Sequence, residues 1–365
     1  MRNIQNLPKF LSFGNIPKDF FLDIKGMLLM HSNSSLGKEF LLKNKDALSG
    51  VKITKFNISK LKNTTDIMDF DVKKFKINFD MVLAVGGGNV IDVSKIIYTK
   101  LIYKNWKKAL SNNDYCRSNH KKKLAVVSTL PGSGAEASKV AVLNQKNNKI
   151  ILTSADFIPQ YIFYDLNKII KNKPEQLVLR LIDSIVHSLE SESSILRNDF
   201  STIYAKNVIK NGEKLLKKYL ENSDIFLDIR NIKQLCLISL YGGISQSEAG
   251  SGLCHALAHT FEKEFNYSHS ESILLCSFIS LEYQKKYKNI NDINNLKQIF
   301  QKIYNRLFNN AKKIRHNKIL SSLNIQRFIA MAKKDVCWKI EKNKIHESEL
   351  FKIINKKVKK NKWNS

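Results

Sequence analysis

Long apolar runs and paired cysteines are both missing from this 365-residue sequence. No stretch approaches the roughly 18 uninterrupted apolar residues that a membrane-spanning helix needs. The first twenty residues, interrupted by Pro8 and Pro17, contain no apolar core of a signal peptide. The cysteines are odd in number and lack CxxC spacing, which excludes a disulfide framework and a thiolate zinc site: Cys116, Cys236, Cys254, Cys276 and Cys337. We therefore expect a soluble, cytoplasmic protein with reduced thiols.

Acidic residues are scarce relative to basic ones. Asp and Glu number 32 against 61 Lys and Arg, so the formal net charge is +29. Such a charge is typical of proteins that bind nucleic acids, but the densest runs, Lys121–Lys123 and Lys356–Lys360, lack an accompanying DNA- or RNA-binding motif. We interpret the charge as solvated surface that attracts small anions. The last ten residues, after Asn355, are predicted to form a solvated tail.

The hydrophobic pattern changes near Pro174. Before it, four short apolar runs are typical of buried parallel strands: Met27–Met30, Met81–Val85, Leu124–Val127 and Tyr161–Tyr164. After it, four long stretches have apolar residues at helical spacing: Leu177–Arg197, Ser201–Tyr219, Ile232–Ser247 and Gly252–Phe265. We therefore predict an α/β domain over residues 1–170, followed by an all-helical domain over residues 171–365.

A run of three glycines, Gly86 to Gly88, follows one predicted strand and precedes an amphipathic helix. Glycine lets the backbone approach a ligand without obstruction from a Cβ atom, and the free N–H groups at a helix start favour a phosphate. Asn89 is placed either to cap this helix or to contact the phosphate. The run is not the GxGxxG of the standard dinucleotide fingerprint, and it also fits a simple turn.

A second glycine-rich loop follows the predicted strand Leu124–Val127. Its Gly132 and Gly134, with Thr129 and Ser133, supply amides and hydroxyls that fit the other side of a pyrophosphate or the nicotinamide ribose. Ligands of open α/β sheets bind beyond the carboxyl ends of the strands, where both loops are predicted to lie. Two such loops predict one ligand crevice.

The spacing of histidines in the second half predicts a cluster. Asp183 and His187 are four residues apart in a helical segment, so both side chains project from one face. His255 and His259 repeat that spacing, and His269 follows beyond the expected end of the helix near Asn266. Because uncompensated polar groups are costly to bury in apolar helices, a shared ion would compensate them together.

One carboxylate with neutral imidazoles forms a borderline-hard set of ligands, suited to Fe(II), Zn(II), Ni(II) or Mn(II). The alternative is that these are unrelated core or capping residues. We interpret the isolated histidines in that second way: His31, His120, His316 and His346.

In these motifs the sequence closely resembles the iron-containing (group III) alcohol dehydrogenase family, whose relatives include glycerol dehydrogenase and dehydroquinate synthase. The family pattern GGGSxxDxxK is matched, with Asn in place of Ser, by Gly86, Gly87, Gly88, Asn89, Asp92 and Lys95. The pattern TxxGTGSE is matched by Thr129, Gly132, Ser133, Gly134, Ala135 and Glu136. The stretch from Lys149 through Pro159 to Asp165 resembles the family segment that begins with a cofactor-contacting lysine.

The resemblance implies a site and its cofactors. The family's four metal ligands carry over as Asp183, His187, His255 and His269. His259 takes the place of the family's histidine beside the nicotinamide and substrate, and is the candidate for relaying the hydroxyl proton. The cofactors implied are a divalent metal, Fe2+ or Zn2+, and NAD or NADP. The residues implied to bind the dinucleotide are Gly86, Gly87, Gly88, Asn89, Asp92, Thr129, Ser133 and Lys149.

The resemblance also implies a dinucleotide-binding α/β domain, a metal-binding helical domain and a cleft between them that holds metal and nicotinamide. Three departures concern loop geometry and substrate shape. Ser270 and Leu181 occupy two positions where the family usually has glycine. Leu166 occupies the position after Asp165, where the family has proline. Ala135, in place of the common serine, resembles the 3-deoxy-octulosonate oxidoreductase subgroup, and phosphonoacetaldehyde reductases are nearly as similar.

These features predict a metal-dependent, NAD(P)-linked oxidoreductase that interconverts an alcohol and an aldehyde or ketone. The predicted substrate is a small polar or anionic molecule, such as a sugar acid or phosphonoaldehyde. A dehydroquinate synthase-like cyclase or lyase and a basic nucleic-acid-binding protein with a relic fold are the alternatives. All four ligands are present, which favours the alcohol dehydrogenase branch.

Two further expectations concern the cofactor and the partners. The segment Leu28–Ser35 has no acidic residue where a ribose-reading aspartate is expected, which predicts tolerance of NADP. A homodimer is the expected assembly. Neither a membrane nor a nucleic acid is the expected partner.

Overall fold

The computed structural model describes residues 7–61, 63–75, 78–111, 122–145, 148–287, 293–341 and 345–363. Cys116, His120 and Lys121, singled out above, lie outside these ranges. The chain divides into two units, Met1–Asn172 and Lys173–Ser365. The first is an α/β unit and the second is helical, which confirms the predicted fold class.

The first unit is built on a parallel sheet of six strands with a separate two-stranded hairpin. In chain order the strands are β1 (Phe10–Phe13), β2 (Gly26–His31), β3 (Lys52–Asn57), β4 (Met81–Gly87), β5 (Lys123–Leu130), β6 (Val140–Gln145), β7 (Asn148–Thr153) and β8 (Tyr161–Tyr164). The four predicted runs form β2, β4, β5 and β8. Alternate side chains of these strands enter two different apolar cores, one on each face, which is why the runs are continuously apolar.

The strand order creates a switch point in the sheet. The order is β1-β8-β5-β4-β2-β3, and every neighbouring pair is parallel. From β2 the chain crosses to β3 on one side and then to β4 on the other, so the connections leave in opposite directions at the boundary of β2 and β4. Open α/β sheets bind ligands beyond the carboxyl ends of the strands at such a boundary. The glycine run at residues 86–88 lies there.

Helices follow or connect several of these strands. They are α1 (Ser34–Lys43), α2 (Thr64–Asp69), α3 (Gly88–Ile102), α4 (Trp106–Ser111) and α5 (Leu166–Ile169). The hairpin of β6 and β7 is antiparallel and packs against α3. Lys95 of α3 is fully buried, and its ammonium donates to the backbone oxygens of Ser138 and Val140, which attaches the start of the hairpin to the helix.

The second unit consists of helices α6 (Pro174–Glu192), α7 (Asp199–Glu221), α8 (Ile229–Ala249), α9 (Leu253–Phe265), α10 (His269–Tyr287), α11 (Ile293–Leu307), α12 (Asn310–Ser321), α13 (Ile325–Ala332), α14 (Val336–Ile340) and α15 (Glu347–Lys360). Proline at the first position of α6 has no amide hydrogen to lose and favours a helix start. The four predicted helical stretches correspond to α6, α7, α8 and α9.

The stretch Leu177–Arg197 is helical only as far as Glu192, so its predicted end was wrong. Serines explain the early end, because their hydroxyls compete for backbone oxygens. The Ser191 hydroxyl donates to the His187 oxygen, and the Ser193 hydroxyl donates to the Glu190 oxygen. The chain then turns away, and the amide of Ile195 donates to Ile340.

The prediction of a solvated tail after Asn355 was also wrong. The side chain of Trp363 is completely buried, and its Nε1 donates to the backbone oxygen of His316 at 2.8 Å. Lys357 is 1 % exposed, and its Nζ donates to the Trp363 oxygen and lies 3.4 Å from Glu282. The lysine-rich composition gave no indication that Trp363 would be buried or that Lys357 would pair with Glu282.

Two further expectations concern the whole chain. Among the described residues, no helix is long and apolar enough to cross a membrane. The described cysteines are buried and unbonded to one another, as expected for reduced core thiols: Cys236, Cys254, Cys276 and Cys337.

Candidate metal centre and dinucleotide site

Four side chains of the second unit converge on one point. Asp183 and His187 lie one turn apart on α6, His255 lies in the first turn of α9, and His269 begins α10. The Oδ1 atom of Asp183 lies 3.5 Å from Nε2 of His187, 3.5 Å from Nε2 of His255 and 3.7 Å from Nε2 of His269. The structure therefore places all three predicted histidine ligands around one oxygen of Asp183, and the ligand atoms of Asp183, His255 and His269 also lie within 4.8 Å of one another.

The turn between α9 and α10 places the fourth of these residues. Asn266 ends α9 in the left-handed conformation, with φ 53° and ψ 50°, which asparagine tolerates better than most residues. The chain then reverses, so that His269 returns to within 5.6 Å of His255, measured between ring centroids. The predicted end of the helix near Asn266 is confirmed.

The other ring nitrogen of each histidine is held by a second partner. Nδ1 of His255 lies 2.5 Å from Glu190, and Nδ1 of His269 lies 2.6 Å from Glu262. Nδ1 of His187 lies 3.2 Å from the hydroxyl of Ser251. Such partners fix the orientation and tautomer of a metal-binding imidazole. Sequence reasoning missed all three, although Glu190 lies on the same face of α6 as the predicted ligands.

The arrangement of donors and acceptors tests whether a metal fits. An ionised carboxylate only accepts hydrogen bonds, so Nδ1 of His255 and of His269 carries a proton, and Nε2 of each has a lone pair when that ring is neutral, as a metal ligand must be. These lone pairs face the oxygen of Asp183. Both carboxylate oxygens of Asp183 lack a hydrogen-bond partner among the described residues, and so does Nε2 of His255. Acceptors that face one another in a buried site repel unless a cation lies between them, so this donor set fits a divalent metal.

The charges of the cluster perturb its titration. Burial lowers the pKa of His255, but the carboxylates of Glu190 and Asp183 outweigh it and raise this pKa to about 10. Burial, and then the neighbouring His255, lower the pKa of His187 to about 3. Burial raises the pKa of Asp183, but the surrounding imidazoles outweigh it and hold that pKa well below its usual range. Without a metal, these carboxylates therefore favour a proton on His255, which a bound cation would displace.

His259 lies beside this cluster without joining its four ligands. Its ring centroid is 5.9 Å from that of His255 and 5.8 Å from that of His269. Its Nδ1 lies 2.9 Å from Oδ2 of Asp335, a partner that the sequence did not reveal. Burial raises the pKa of Asp335, but the hydrogen bond from His259 outweighs it and holds the pKa below its ordinary value.

A cationic side chain also borders the cluster. Arg180 precedes Asp183 by one turn of α6, and its Nη1 lies 3.9 Å from Oδ2 of that carboxylate, longer than a hydrogen bond. The side chain is 26 % exposed, while its Nε is buried and without a hydrogen-bond partner among the described residues. This guanidinium therefore has at least one N–H donor, at Nε, without a partner among the described residues.

The two glycine loops of the first unit lie next to each other. Gly86 and Gly87 of β4 pair with Ser128 and Leu130 of β5, with a shift in register between them. A Cβ atom on Gly88 would lie 2.8 Å from the hydroxyl oxygen of Ser133, so a larger residue here would require that hydroxyl to rotate away. The neighbouring loops confirm the expected grouping at the carboxyl ends of the strands.

The start of α3 excludes one of the two roles considered for Asn89, that of capping the helix. The N-cap residue is Gly87, no side chain caps the helix, and Asn89 is exposed two residues further on. The capping alternative was therefore wrong, because the helix starts two residues earlier than that role requires. The uncapped amide groups leave the helix start suited to a phosphate.

The other candidate residues for the dinucleotide lie nearby with different surroundings. The carboxylate of Asp92 is engaged within the unit, accepting from Lys95 at 3.4 Å and from the amide of Val142 at 3.2 Å. Thr129 is half-buried at the end of β5, and Lys149 is half-buried on β7. Their role in binding a cofactor stays a prediction.

Comparisons with known proteins agree with this geometry. The model of the iron-containing alcohol dehydrogenase family matches residues 13–166, and the model of the C-terminal region of the Fe-containing alcohol dehydrogenase family matches residues 178–357. The 4-hydroxybutyrate dehydrogenase of Clostridium kluyveri is 27 % identical over 281 residues, covering 73 % of this chain and 71 % of that protein. The probable alcohol dehydrogenase EutG of Salmonella typhimurium is 28 % identical over 183 residues, covering 49 % and 45 %, so the match spans less than half of EutG.

Solved structures share the fold. The sulfoacetaldehyde reductase from Bifidobacterium kashiwanohense in complex with NAD+ superposes with a TM-score of 0.79 at 16 % identity, covering 98 % of this chain and 99 % of that one. An iron-containing alcohol dehydrogenase from Thermotoga maritima superposes with a TM-score of 0.75 at 18 % identity, covering 98 % and 99 %. Because the two family models together match most of its length, this chain belongs to the iron-containing alcohol dehydrogenase family.

Proposed function

We propose that this chain interconverts an alcohol and an aldehyde or ketone, with a divalent metal held by Asp183, His187, His255 and His269. The observation that carries the proposal is the convergence of three Nε2 atoms on a buried carboxylate that has no hydrogen-bond partner among the described residues. A bound metal, Fe2+ or Zn2+, would supply Lewis acidity toward the substrate oxygen.

The protein's own residues have separate roles in this proposal. Glu190, Glu262 and Ser251 orient the three imidazoles, so the geometry of the ligands is fixed before metal binds. His259, beside the cluster, receives the hydroxyl proton of the alcohol and returns it in the reverse direction. Because the site is buried, little water enters it, and its electrostatic interactions are stronger than they would be in solvent.

For the dinucleotide we propose the two glycine loops of the first unit. The uncapped start of α3 and the amides around Gly88 and Ser133 bind the pyrophosphate. The position of the loops at the switch point of the sheet supports this assignment. Family membership implies NAD(H) as the reductant or oxidant.

We further propose that NADP is tolerated. Strand β2 ends at His31, and Asn33 caps α1 by accepting from the amide of Ser35, so neutral or basic residues occupy the end of this strand. A carboxylate at this place would read the ribose hydroxyls and repel a 2′-phosphate. Titration with NADH and NADPH tests this point, and binding of NADH with exclusion of NADPH would contradict it.

For the substrate we propose a small aldehyde or alcohol that has an anionic group. The guanidinium of Arg180 beside Asp183 supports this class, because a guanidinium binds carboxylates, sulfonates and phosphonates in a bidentate manner. The names of two relatives, 4-hydroxybutyrate dehydrogenase and sulfoacetaldehyde reductase, denote anionic substrates. The resemblance to oxidoreductases of sugar acids and to phosphonoacetaldehyde reductases points to the same class.

The experiment is metal analysis of the purified protein with a screen for oxidation of NADH and NADPH. The screen pairs anionic and neutral aldehydes of equal length, such as succinate semialdehyde with butanal. We expect one tightly bound divalent metal per chain and preference for the anionic member of each pair. Dehydroquinate synthase-like chemistry would consume no free NAD(P)H, and salt-dependent binding of DNA or RNA without turnover would indicate the relic alternative. Either result would overturn the proposal.

A further inference from the structure

The carboxylate of Asp335 accepts two hydrogen bonds from fixed donors. Its Oδ1 accepts from the backbone amide of Cys337 at 2.8 Å, which makes Asp335 the N-cap of α14. Its Oδ2 lies 2.9 Å from Nδ1 of His259 on α9. Because the capping interaction fixes the side chain of Asp335, the second oxygen is held in place toward the imidazole.

This arrangement determines which nitrogen of His259 has the proton. An ionised carboxylate cannot donate, so Nδ1 carries hydrogen and Nε2 is left with the lone pair. The ring of His259 is 10 % exposed and lies beside His255 and His269, two of the proposed metal ligands. A group that receives a substrate proton needs this lone pair.

We propose that Asp335 is a positioning residue that holds His259 in the tautomer able to take up the substrate's hydroxyl proton at Nε2. This inference rests on the proposed function, in which His259 relays that proton. When the O–H bond of the alcohol breaks, its proton forms a bond with Nε2, and Asp335 stabilises the imidazolium that results. The alkoxide left behind becomes the carbonyl as its carbon loses hydride to the nicotinamide. In the reverse direction, hydride addition to the carbonyl carbon gives the alkoxide oxygen, which takes the proton back from Nε2.

The chemistry of an amide at position 335 makes the proposal testable. Asparagine caps helices as well as aspartate does, so Asp335→Asn keeps the bond from Cys337. The amide has one acceptor oxygen, which this cap uses, and its NH2 group then faces Nδ1 of His259. That donor requires a lone pair on Nδ1, which moves the proton to Nε2 and blocks uptake of the substrate proton.

The kinetic test compares the full-length, metal-loaded wild type with Asp335→Asn. We expect kcat to fall by about 10²–10⁴-fold, the usual contribution of a general acid or base, while KM, metal content and thermal midpoint stay unchanged. The matched control is Asp228→Asn, because Asp228 caps α8 through the amide of Arg230 in the same way and is remote from the cluster in sequence and contacts. This control should leave kcat unchanged.

A second readout does not depend on turnover. The ¹⁵N shifts of the His259 ring in zinc-loaded protein, assigned by loss of the signals in His259→Gln, report its tautomer. The wild type should have its proton on Nδ1, and Asp335→Asn should have it on Nε2. If the amide variant proves less stable, Asp335→Ser, which also caps but cannot hold the imidazole, should lower kcat and give a mixture of tautomers.

The outcomes separate this inference from the proposed function. Unchanged kcat and an unchanged tautomer in Asp335→Asn would overturn the role of Asp335 and show that it only caps α14. Absence of turnover in the wild type would overturn the proposed function. In that case the ring shifts would still decide whether Asp335 fixes the tautomer of His259.

Discussion

The first unit buries Lys95 with Asp92, and the second buries Asp183 with three histidines, but the polar atoms of the two clusters are satisfied differently. The ammonium of Lys95 donates to the Ser138 oxygen at 3.0 Å, to the Val140 oxygen at 2.6 Å and to Asp92 at 3.4 Å. All acceptors come from the same unit, so this cluster is complete. The carboxylate of Asp183 instead faces imidazole lone pairs.

The difference shows how a buried charge in a fold is distinguished from a binding site. Burial lowers the pKa of Lys95 and raises the pKa of Asp92, so both clusters are electrostatically perturbed. Perturbation alone therefore does not identify the site. What distinguishes the second cluster is the convergence of several acceptors on one point, which only a cation compensates.

The largest effect should follow from Asp183→Asn, which removes the charge at the centre of the candidate metal centre. An amide oxygen is a weaker ligand, so we expect loss of bound metal and a fall in kcat/KM of at least about 10³-fold. Metal analysis and steady-state kinetics measure both effects. Retention of a full equivalent of metal would refute the assignment of this residue.

In the first unit, the variant to compare with Asp183→Asn is Lys95→Met, which should lower the stability of the fold. The change leaves the carboxylate of Asp92 buried without its cation, and breaking a buried pair in this way costs about 3–5 kcal/mol of unfolding free energy. Urea denaturation measures the loss. The double variant Lys95→Met with Asp92→Asn should recover much of it, and metal binding should stay normal in both. A variant as stable as wild type would show that the pair does not hold the hairpin.

Glu190→Gln tests the support behind the ligands. The amide still accepts at its oxygen but no longer favours the proton on Nδ1 of His255, so metal affinity should fall by about 10–100-fold. Competition with a chelator of known affinity measures this change. Glu192→Gln, on the same helix and paired with Arg197 outside the cluster, is the control and should bind metal as the wild type does.

His316→Gln extends the comparison of the two clusters to a third buried group, because His316 is a buried histidine that lies outside both of them. His316 is 1 % exposed, its Nδ1 lies 3.1 Å from the hydroxyl of Tyr304, and burial lowers its pKa to about 4. As the pH falls below 6.5, His316 is protonated in the unfolded chain but stays neutral in the folded chain. The free energy of unfolding therefore falls as the pH is lowered toward 4. Between pH 7 and 5 this loss is about 1–2 kcal/mol.

Urea denaturation at both pH values measures that dependence. The glutamine variant, which can still bond with Tyr304, should lose less stability than the wild type over the same interval. Equal losses in the two proteins would show that His316 titrates normally in the folded state. Metal content should be the same in both, which makes this variant a control for Asp183→Asn as well.

Local patterns were sufficient for much of the architecture. The apolar runs in β2, β4, β5 and β8 could be recognised because a strand buried on both faces is continuously apolar. The pair Asp183 and His187 could be placed on one face because the helical period is a local property. Ends of elements were harder, as at Glu192, where serine hydroxyls compete with the helical hydrogen bonds.

The partners of the site residues were not predictable in the same way. Asp335 is far from His259 along the chain, and its capping role on α14 gave no sign that its second oxygen meets the imidazole. Trp363 stands among lysines and asparagines, yet its indole is fully buried against Phe261. Such contacts depend on how distant helices pack, which composition and periodicity do not report.

The sequence by itself determined the type of fold, the glycine turns and a cluster of one aspartate with several histidines, because hydrophobic period, glycine content and residue spacing act over a few residues. The family resemblance, and not this spacing, implied which four residues of the cluster are the ligands. Only the tertiary structure decided that three imidazoles turn Nε2 toward Asp183 while Glu190 and Glu262 hold Nδ1. The physical reason is that hydrogen-bond satisfaction in a buried site depends on every group within about 3 Å, whatever its distance along the chain.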